Sequence, residues 1–489
     1  MSAPDLDHQP VFTVRFPNRS RRGVLLGLTV PQLAVVTAAG ALLMGVLVTA
    51  GIPGAVLAAP LWALAAAIVL IRFHSRSAAD WAPIVIRYYL RRAKGQLLWL
   101  TRPATRSRLD GLLHLPGTDA SLRAVTAPGG GLGAVHNPAA GTLTAVVRVA
   151  SRAFALLDPP TQNHNVGAWG RCLAALARTG YINAVQVIER TVPDSGDALQ
   201  RYWAEHGRPD TPVAGPVYDE LLAAAGPTAA PHESYIAVSL DMKAARRLIG
   251  EAGGGLTGAF AVLGQLIPGF EQSLRAAGLV PGGWLSTGEI AAVIRSAYDP
   301  QALAALDQWS ATGQASAAPA AAGPVVLVEE PDKIRTDSAC HAVYWIDQWP
   351  RSEVGHGFLH SIVFSSGVRR TLSLTYGPQS LDAALKAVQR TKASIVSDAA
   401  ERVRKGQVDS EADTQEYADA KNHERELIAG HADVDLTGLV VVSAADADEL
   451  RRACASVETA AASTGLDPRL LRWQQADAFA MSALPLART

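Results

Sequence analysis

An uncharged apolar stretch near the amino terminus, residues 23–71, constrains the fold of this chain more than any other feature. A membrane-spanning helix needs about 20 consecutive apolar residues, so this stretch is long enough for two. Pro31 is placed to begin one helix, and Gly51-Ile52-Pro53-Gly54 has the composition of a turn. A buried pair of soluble helices is the alternative, but soluble helices of this length normally carry a polar face. The sequence therefore predicts a transmembrane helical hairpin with spans at residues 31–50 and 54–71.

Basic residues on both sides of this stretch predict its orientation. They are Arg15, Arg19, Arg21 and Arg22 before it, and Arg72, Arg76, Arg87, Arg91, Arg92 and Lys94 after it. The connecting turn carries no charge, and cationic flanks stay on the cytoplasmic side. We therefore expect a multi-pass protein of the inner (plasma) membrane with both termini in the cytoplasm. A cleaved signal peptide fits poorly, because the first apolar run is too long and a second follows at once.

Charge and cysteine content narrow the class of protein further. The chain has 489 residues, with 44 basic and 44 acidic side chains. A nucleic-acid binder usually has a basic excess, so we expect no direct nucleic-acid site. The basic residues beside the apolar stretch are placed to meet anionic lipid head groups, which makes membrane lipids an expected partner. Cys172, Cys340 and Cys454 are scattered without CxxC spacing, as is typical of a reducing compartment.

Composition shifts divide the chain into six predicted segments. These are a cytoplasmic amino-terminal segment (residues 1–22), the hairpin (23–71), a juxtamembrane segment (72–109), a first cytoplasmic α/β domain (110–309), a linker of small residues (310–324) and a second cytoplasmic α/β domain (325–489). In the juxtamembrane segment, Trp81, Tyr88, Tyr89 and Trp99 alternate with arginines over residues 78–100, which favours an interfacial helix. A helix that packs on the soluble domain is the alternative.

Hydrophobic periodicity predicts that the remainder is an α+β body built from two α/β halves, for which we consider a ferredoxin-like arrangement. In the first half we expect strands at residues 121–126, 141–150, 181–191 and 234–241, and helices at 160–179, 243–250 and 256–278. A glycine-rich turn joins the first two strands. In the second half we expect strands at residues 342–346, 370–376 and 436–443, and helices at 380–405, 410–429 and 445–464. The helices at 380–405 and 410–429 are charged and are expected to form an exposed hairpin. No clear sequence repeat relates the halves.

Motifs for phosphate or dinucleotide binding do not support a catalytic role. No G-x-x-x-x-G-K-[ST] occurs, so the phosphate-binding loop of an NTPase is missing from the sequence. Gly129, Gly131 and Ala134 match G-x-G-x-x-A, but they lie between two predicted strands instead of before a helix. We interpret them as a hairpin turn, and we expect no cofactor and no NTPase activity.

Histidines provide the one alternative that involves a metal. His356 and His360 have the i, i+4 spacing that would place both imidazoles on one face of a helix, and His341 would be a third ligand. Gly357 stands where a zinc hydrolase of this pattern has its glutamate base. A metal-dependent membrane enzyme is thus the less favoured hypothesis, and ordinary surface or packing histidines are favoured. We expect no catalytic, cofactor-binding or metal-binding residues and no enzyme activity.

Two stretches of the chain resemble known families of secretion proteins. Residues 16–36 resemble the start of PrgI-like subunits of Gram-positive, here actinobacterial, conjugation systems. The two-helix membrane hairpin of those subunits is entered through a phrase like Gly27-Leu28-Thr29-Val30-Pro31-Gln32-Leu33, in which Pro31 stands in place of the usual arginine. Residues 122–486 are similar in layout to the non-ATPase amino-terminal half of the conjugative ATPases of type IV secretion. That similarity rests on the order of residues 143–157, 234–241, 276–279, 475–479 and 484–486. The chain stops at Thr489, where the motor of such an ATPase would begin.

The overall layout of a hairpin followed by a cytoplasmic body also resembles EccE, a membrane component of type VII secretion. The first resemblance implies a non-catalytic membrane subunit of a type IV-like secretion or conjugation apparatus, with a separate P-loop ATPase and other envelope subunits as partners. Homo-oligomers within such a complex are compatible with it. The EccE resemblance implies a type VII component with different partners. A scaffold unrelated to export is the third hypothesis.

Overall fold

The computed structural model describes residues 30–70, 72–73, 76–101, 111–151, 154–192, 203, 206–207, 214–225, 232–303, 305–306, 318–350, 352–364, 367–404, 411–430 and 432–488. The predicted amino-terminal segment, residues 1–22, lies outside them. Contacts divide the chain into two units. Within the described residues, the N-terminal unit covers 30–98 with Arg472–Gln474, and the sheet unit covers 99–471 and 475–488.

The N-terminal unit is helical. Its elements are α1 (Val30–Leu57), α2 (Ala59–Leu70), the short antiparallel strands β1 (Arg72–Phe73) and β2 (Arg76–Ser77), and α3 (Ala78–Ala93). Gly51 interrupts α1 with φ 63° and ψ −162°, a conformation that glycine adopts without a Cβ penalty. The predicted turn at residues 51–54 is therefore confined to Gly51, and Pro53 and Gly54 are already helical.

Among the described residues, one helical stretch is long and apolar enough to span a membrane by length and composition. It is Gln32–Gly54, with 23 residues, a mean hydropathy of 2.3 and no part of its most apolar window buried in protein. The second predicted span, residues 54–71, instead contains α2, whose 12 residues are fewer than a bilayer-spanning helix needs. Gln32 Nε2 donates a hydrogen bond to the carbonyl oxygen of Val69 at 3.0 Å.

The juxtamembrane helix is shorter than the pattern of residues 78–100 suggests. Helix α3 contacts α1 and α2, and it ends at Ala93. Gly95 follows in a left-handed conformation (φ 67°), and the Gln96 N–H donates back to the Arg91 carbonyl at 2.9 Å, which closes the helix. The prediction of helix up to residue 100 is wrong, because Leu98–Leu100 forms strand β3.

The sheet unit is organised on one sheet of 13 strands. Besides β3, these are β4 (Arg123–Thr126), β5 (Gly133–Asn137), β6 (Thr142–Ser151), β7 (Ile182–Thr191), β8 (His232–Asp241), β9 (Leu279–Trp284), β10 (Val326–Glu329), β11 (Ile334–Arg335), β12 (Cys340–Gln348), β13 (Arg369–Pro378), β14 (Val434–Ala444) and β15 (Asp467–Leu470). The strand order is β3-β10-β11-β12-β14-β13-β7-β8-β6-β5-β4, with β15 on β12 and β9 on β6. The pairings from β10 to β4 are antiparallel.

The described part of the sheet unit also contains ten α-helices, which include those packed on the two faces of the sheet. They are α4 (Pro159–Thr179), α5 (Ala214–Ala225), α6 (Arg246–Glu251), α7 (Gly255–Ala276), α8 (Thr287–Tyr298), α9 (His360–Val363), α10 (Leu381–Arg404), α11 (Glu411–Ile428), α12 (Ala447–Ser463) and α13 (Gln475–Ser482), with 3₁₀ turns at Phe154–Leu156, Pro300–Ala302 and Pro319–Ala321. Helices α10 and α11 pack on each other through a small core of Ala384, Val388 and Leu427, and Lys392 Nζ lies 2.7 Å from Glu424 Oε2. The predicted charged helical hairpin is confirmed.

The two halves of the sheet repeat one topology. In the first half, the succession β6-α4-β7-β8-α7-β9 gives the strand order β9-β6-β8-β7. In the second half, β12-α9-β13-β14-α12-β15 gives the order β15-β12-β14-β13. The second strand of the first succession is β7, and it pairs with the second strand of the other succession, β13. This pairing is antiparallel and runs from Arg190 opposite Thr371 to Val185 opposite Tyr376. We call this pairing the β7–β13 seam.

Cores on the two faces of the sheet differ in extent. One face carries a single core that runs across both halves, with Ile188 and Val441 beneath Ile290 of α8 and Phe479 of α13. The opposite face carries two separate cores, one under α4 and α7 and one under α12. The halves are therefore joined both by the seam and by a shared core.

Most predicted elements of the body are present, and the differences have physical causes. Strand β5 lies between the first two predicted strands, so the glycine-rich turn connects β4 to β5. Of the predicted linker, residues 310–317 lie outside the described part, whereas residues 318–324 combine the exposed Ala318, Ala320 and Ala321 with buried positions. Ala322 is fully buried, and a Cβ at position 323 would clash with the carbonyl oxygen of His114. Small residues there allow close packing, which composition alone does not distinguish from flexibility.

Candidate functional site

An open groove runs between α9 and α12 on the second half. Its volume is about 690 Å³. It is lined by His360, Ser361 and Phe364 on one side and by Ala455, Ser456, Thr459, Ala460 and Ser463 on the other. We call this surface the α9–α12 groove.

The groove exists because the second half lacks the long helix that its counterpart has. In the first half, α4 has 21 residues and packs along α7. The contact is close near the carboxyl end of α7, since the thiol of Cys172 lies against Ser273 and a Cβ at position 278 would meet Asn165 Nδ2. In the second half, the equivalent connection forms only the four-residue α9. One side of α12 is therefore left uncovered.

Helix α12 presents a smooth, uncharged surface to this groove. Asp446 caps the helix by accepting hydrogen bonds from the N–H groups of Asp448 (2.9 Å) and Glu449 (2.8 Å), and these bonds lower the pKa of its carboxyl. Leu450, Ala453, Val457 and Ala461 point into the core at helical spacing. The small groove residues Ala455, Ser456 and Thr459 consequently face outward, where they permit close approach of another helix.

The opposite wall of the groove is fixed by ring contacts and by one buried arginine. Phe364 stacks between His360 and His232, with ring centroids 4.4 and 5.1 Å away. Arg370 donates from Nε and Nη2 to the carbonyl oxygen of Val363 at 3.1 and 2.7 Å. Burial lowers the pKa of this guanidinium to about 10. The arrangement offers shape and apolar surface for binding and contains no paired acid and base.

A second feature, a cavity of about 30 Å³, lies at the end of the β7–β13 seam. We call it the seam cavity. It is lined by Arg190, Thr191, Val192, Ser296, Ala297, Pro300, Arg369, Arg370, Thr371, Val441, Ser443, Phe479 and Ala483. Arg190 belongs to β7 and Arg369 to β13, so both halves contribute charge to it.

Arg190 is held by an ion pair and by several hydrogen bonds. Its Nε and Nη2 donate to Glu233 Oε2 at 2.8 and 2.5 Å, and its Nη1 donates to Ser296 Oγ at 3.0 Å. Burial raises the pKa of the Glu233 carboxyl, but the charge and hydrogen bonds of Arg190 lower it more, so it stays below its usual value. The guanidinium also lies over the ring of Tyr235, 5.3 Å from the centroid.

The three histidines of the metal hypothesis do not converge. His341 pairs with Ser443 in the sheet and faces the shared core, with its ring 4.7 Å from that of Phe479. His360 lines the groove on the opposite face, beside α12. His356 lies in the turn before α9, so the i, i+4 spacing is not on one helix. Among the described residues, no group of three or more His, Cys, Asp or Glu side chains is placed to hold a metal ion.

The glycine motif is a turn, as its context indicates. Ala127 N–H donates to the Leu132 carbonyl at 2.9 Å, and β4 continues directly into β5 through Gly129 and Gly131.

The sequence patterns did not predict the α9–α12 groove or the seam cavity. Charged residues inside apolar strands, such as Arg190 and the pair Arg369-Arg370, were the available signal for the cavity.

The sequence matches no protein-family model and no curated protein.

Proposed function

We propose that this chain is a non-catalytic, membrane-anchored subunit of a secretion or conjugation apparatus, and that it positions a separate P-loop ATPase at the membrane. The observation that carries the proposal is the α9–α12 groove. In the first half the same side of the sheet is filled by α4, and in the second half it is left open. A helix of the ATPase is the occupant that we propose.

The proposed anchor is a two-helix transmembrane hairpin with both termini cytoplasmic. Supporting it are the span-length stretch Gln32–Gly54, the break at Gly51 and the hydrogen bond from Gln32 to Val69, which joins residues 37 positions apart. Because α2 alone is too short, the second span of this proposal combines it with the helical residues 52–57. Residues before and after the hairpin supply cationic side chains, which favour the cytoplasmic side.

The body is proposed to consist of two ferredoxin-like halves. The support is the βαββαβ succession and the strand order that both halves share. A repeated scaffold of this kind offers helix faces for assembly. The groove residues Ala455, Ser456 and Thr459 are small and uncharged, and a partner helix in this position would be the centre of a larger contact. Stable contacts bury about 1,200 Å² or more in total, so residues around the groove must also take part.

Purification from the native host in mild detergent tests this proposal. We expect a P-loop ATPase of conjugative type to co-purify with the wild-type chain. Thr459→Arg places a long cation in the groove and should abolish that association, whereas Thr257→Arg on the exposed surface of the counterpart helix α7 should not. Recovery of the wild-type chain alone, with other envelope complexes intact, overturns the proposal. Recovery of a type VII core ATPase instead replaces it with the EccE-like alternative.

A further inference from the structure

The seam cavity collects positive charge from both halves of the sheet unit. Arg190 and Arg369 contribute this charge, since the guanidinium of Arg370 donates to Val363 on the other face of the sheet, and no lining residue is an aspartate or glutamate. We propose that it is a binding site for one small inorganic anion, bound by Arg369 of the second half beside the ion-paired Arg190 of the first. This site is separate from the α9–α12 groove and does not depend on the proposed partner.

Arg369 is the residue whose interactions point to a ligand. Its side chain is half-buried, and it forms no hydrogen bond or ion pair with any residue in the part of the chain that the structure describes. The other seam arginine of this face, Arg190, has its donors directed at Glu233, Ser296 and Val293. An anion beside Arg369 would supply the acceptor that the described residues do not.

Strand register places the groups that would surround the anion. Thr371 pairs with Arg190 across the seam, so the two side chains lie on the same face of the sheet. Arg369 is two residues before Thr371 and therefore shares that face. The guanidinium group offers parallel donors that fit an oxyanion, and the hydroxyl of Thr371 adds a neutral donor.

Cavity size restricts the class of ligand. A cavity needs roughly 10–15 Å³ to hold one water molecule. The seam cavity, at about 30 Å³, therefore accommodates a few atoms. Phosphate, sulfate or chloride is of suitable size, while a nucleotide base or an acyl chain is excluded. Arg190 already has Glu233 as its counter-ion, so a bound anion would neutralise the charge of Arg369 and stabilise the seam.

Thermal unfolding of the detergent-solubilised full chain tests the site. Sodium phosphate or sodium chloride replaces sodium gluconate at constant ionic strength, because gluconate is too large for the cavity. We expect a saturable rise in Tm of about 2 °C or more with phosphate or chloride over gluconate. Arg369→Gln should raise the apparent Kd at least about tenfold, and Arg247→Gln, which removes an exposed arginine of α6, should leave it unchanged.

Arg369→Lys keeps the charge and serves where Arg369→Gln does not fold. It should retain the response with an apparent Kd about tenfold weaker for phosphate, because the forked donor geometry is lost. Phosphatidylglycerol micelles should not reproduce the effect, since the head group is carried on acyl chains that the cavity excludes. Equal Tm values in gluconate, chloride and phosphate overturn the proposal. A response to phosphate that survives unchanged in Arg369→Lys and Arg369→Gln also overturns it.

Discussion

Gln186 of β7 donates from Nε2 to Ser373 Oγ of β13 at 2.9 Å, diagonally across the seam between the two halves. The same amide donates to the carbonyl oxygen of Met481 at 2.9 Å and accepts from the N–H of Ala487 at 2.8 Å. One fully buried side chain therefore ties together both halves and the carboxy-terminal segment that covers their shared core.

Replacing this amide should destabilise the sheet unit strongly. Gln186→Leu leaves buried polar groups of Ser373, Met481 and Ala487 without their partner, at about 1 kcal/mol or more each. We expect a loss of about 3–5 kcal/mol of unfolding free energy, measured by denaturation of the solubilised full chain. Gln415→Leu on the exposed surface of α11 is the matched control. Equal stability of the two variants contradicts the central role of Gln186.

Acid should destabilise the fold through His341. Thr336 Oγ1 has a single hydrogen and donates it to the Tyr298 carbonyl at 2.6 Å, so at 3.0 Å it accepts from His341 Nε2–H. His341 Nδ1 then accepts from Ser443 Oγ at 2.7 Å, which specifies the neutral tautomer. Burial lowers the pKa of His341 to about 4.

The sign of this pH effect follows from proton binding. Below the usual histidine pKa of about 6.5 the unfolded chain binds a proton at His341 that the folded chain does not. The contribution of neutral His341 to the free energy of unfolding is therefore fully present above about pH 6.5. It falls by about 3 kcal/mol as the pH drops toward 4. Unfolding titrations at several pH values should show this slope, and His341→Asn should flatten it. An unchanged slope in the variant would falsify the assignment.

The start of α8 offers a smaller and independent test. Ser286 Oγ accepts from Glu289 N–H at 3.3 Å, and Glu289 Oε2 accepts from Ser286 N–H at 2.8 Å. Ser286→Ala should cost about 1 kcal/mol of unfolding free energy, and Ser286→Thr should restore most of it. A serine-to-alanine change without cost would mean that this capping box contributes nothing.

Cysteine labelling tests the proposed topology. In a chain whose three cysteines are replaced, Ile52→Cys lies at the exposed break of α1 and Gln415→Cys lies on α11. A membrane-impermeant maleimide should label position 52 on intact cells and position 415 only after the membrane is opened. Labelling of position 415 on intact cells rules out a cytoplasmic body.

Periodicity and composition predicted the long elements of this fold better than the short ones. Helix α4 and strands β7, β8, β13 and β14 follow their apolar patterns closely. Helix α8 was missed, although Ser286 and Glu289 have the spacing of a capping box. Short strands such as β11, with two residues, form because neighbouring strands pair with them, which no local pattern reveals.

The sites depended on relationships that are distant in sequence. The α9–α12 groove results from a missing helix, and it is recognised only once the strand orders of the two halves are compared. The seam cavity combines Arg190 with Arg369, which are brought together by the pairing of β7 with β13. Neither relation has a local sequence signature.

Photo-crosslinking from the groove in living cells tests the central claim most directly. A photoreactive residue at Thr459 should form an adduct with a P-loop ATPase of the apparatus, and the same residue at Thr257 on α7 should not. Adducts at position 459 that contain no ATPase, or none at all while the protein is folded and in the membrane, would contradict the proposed role of the groove.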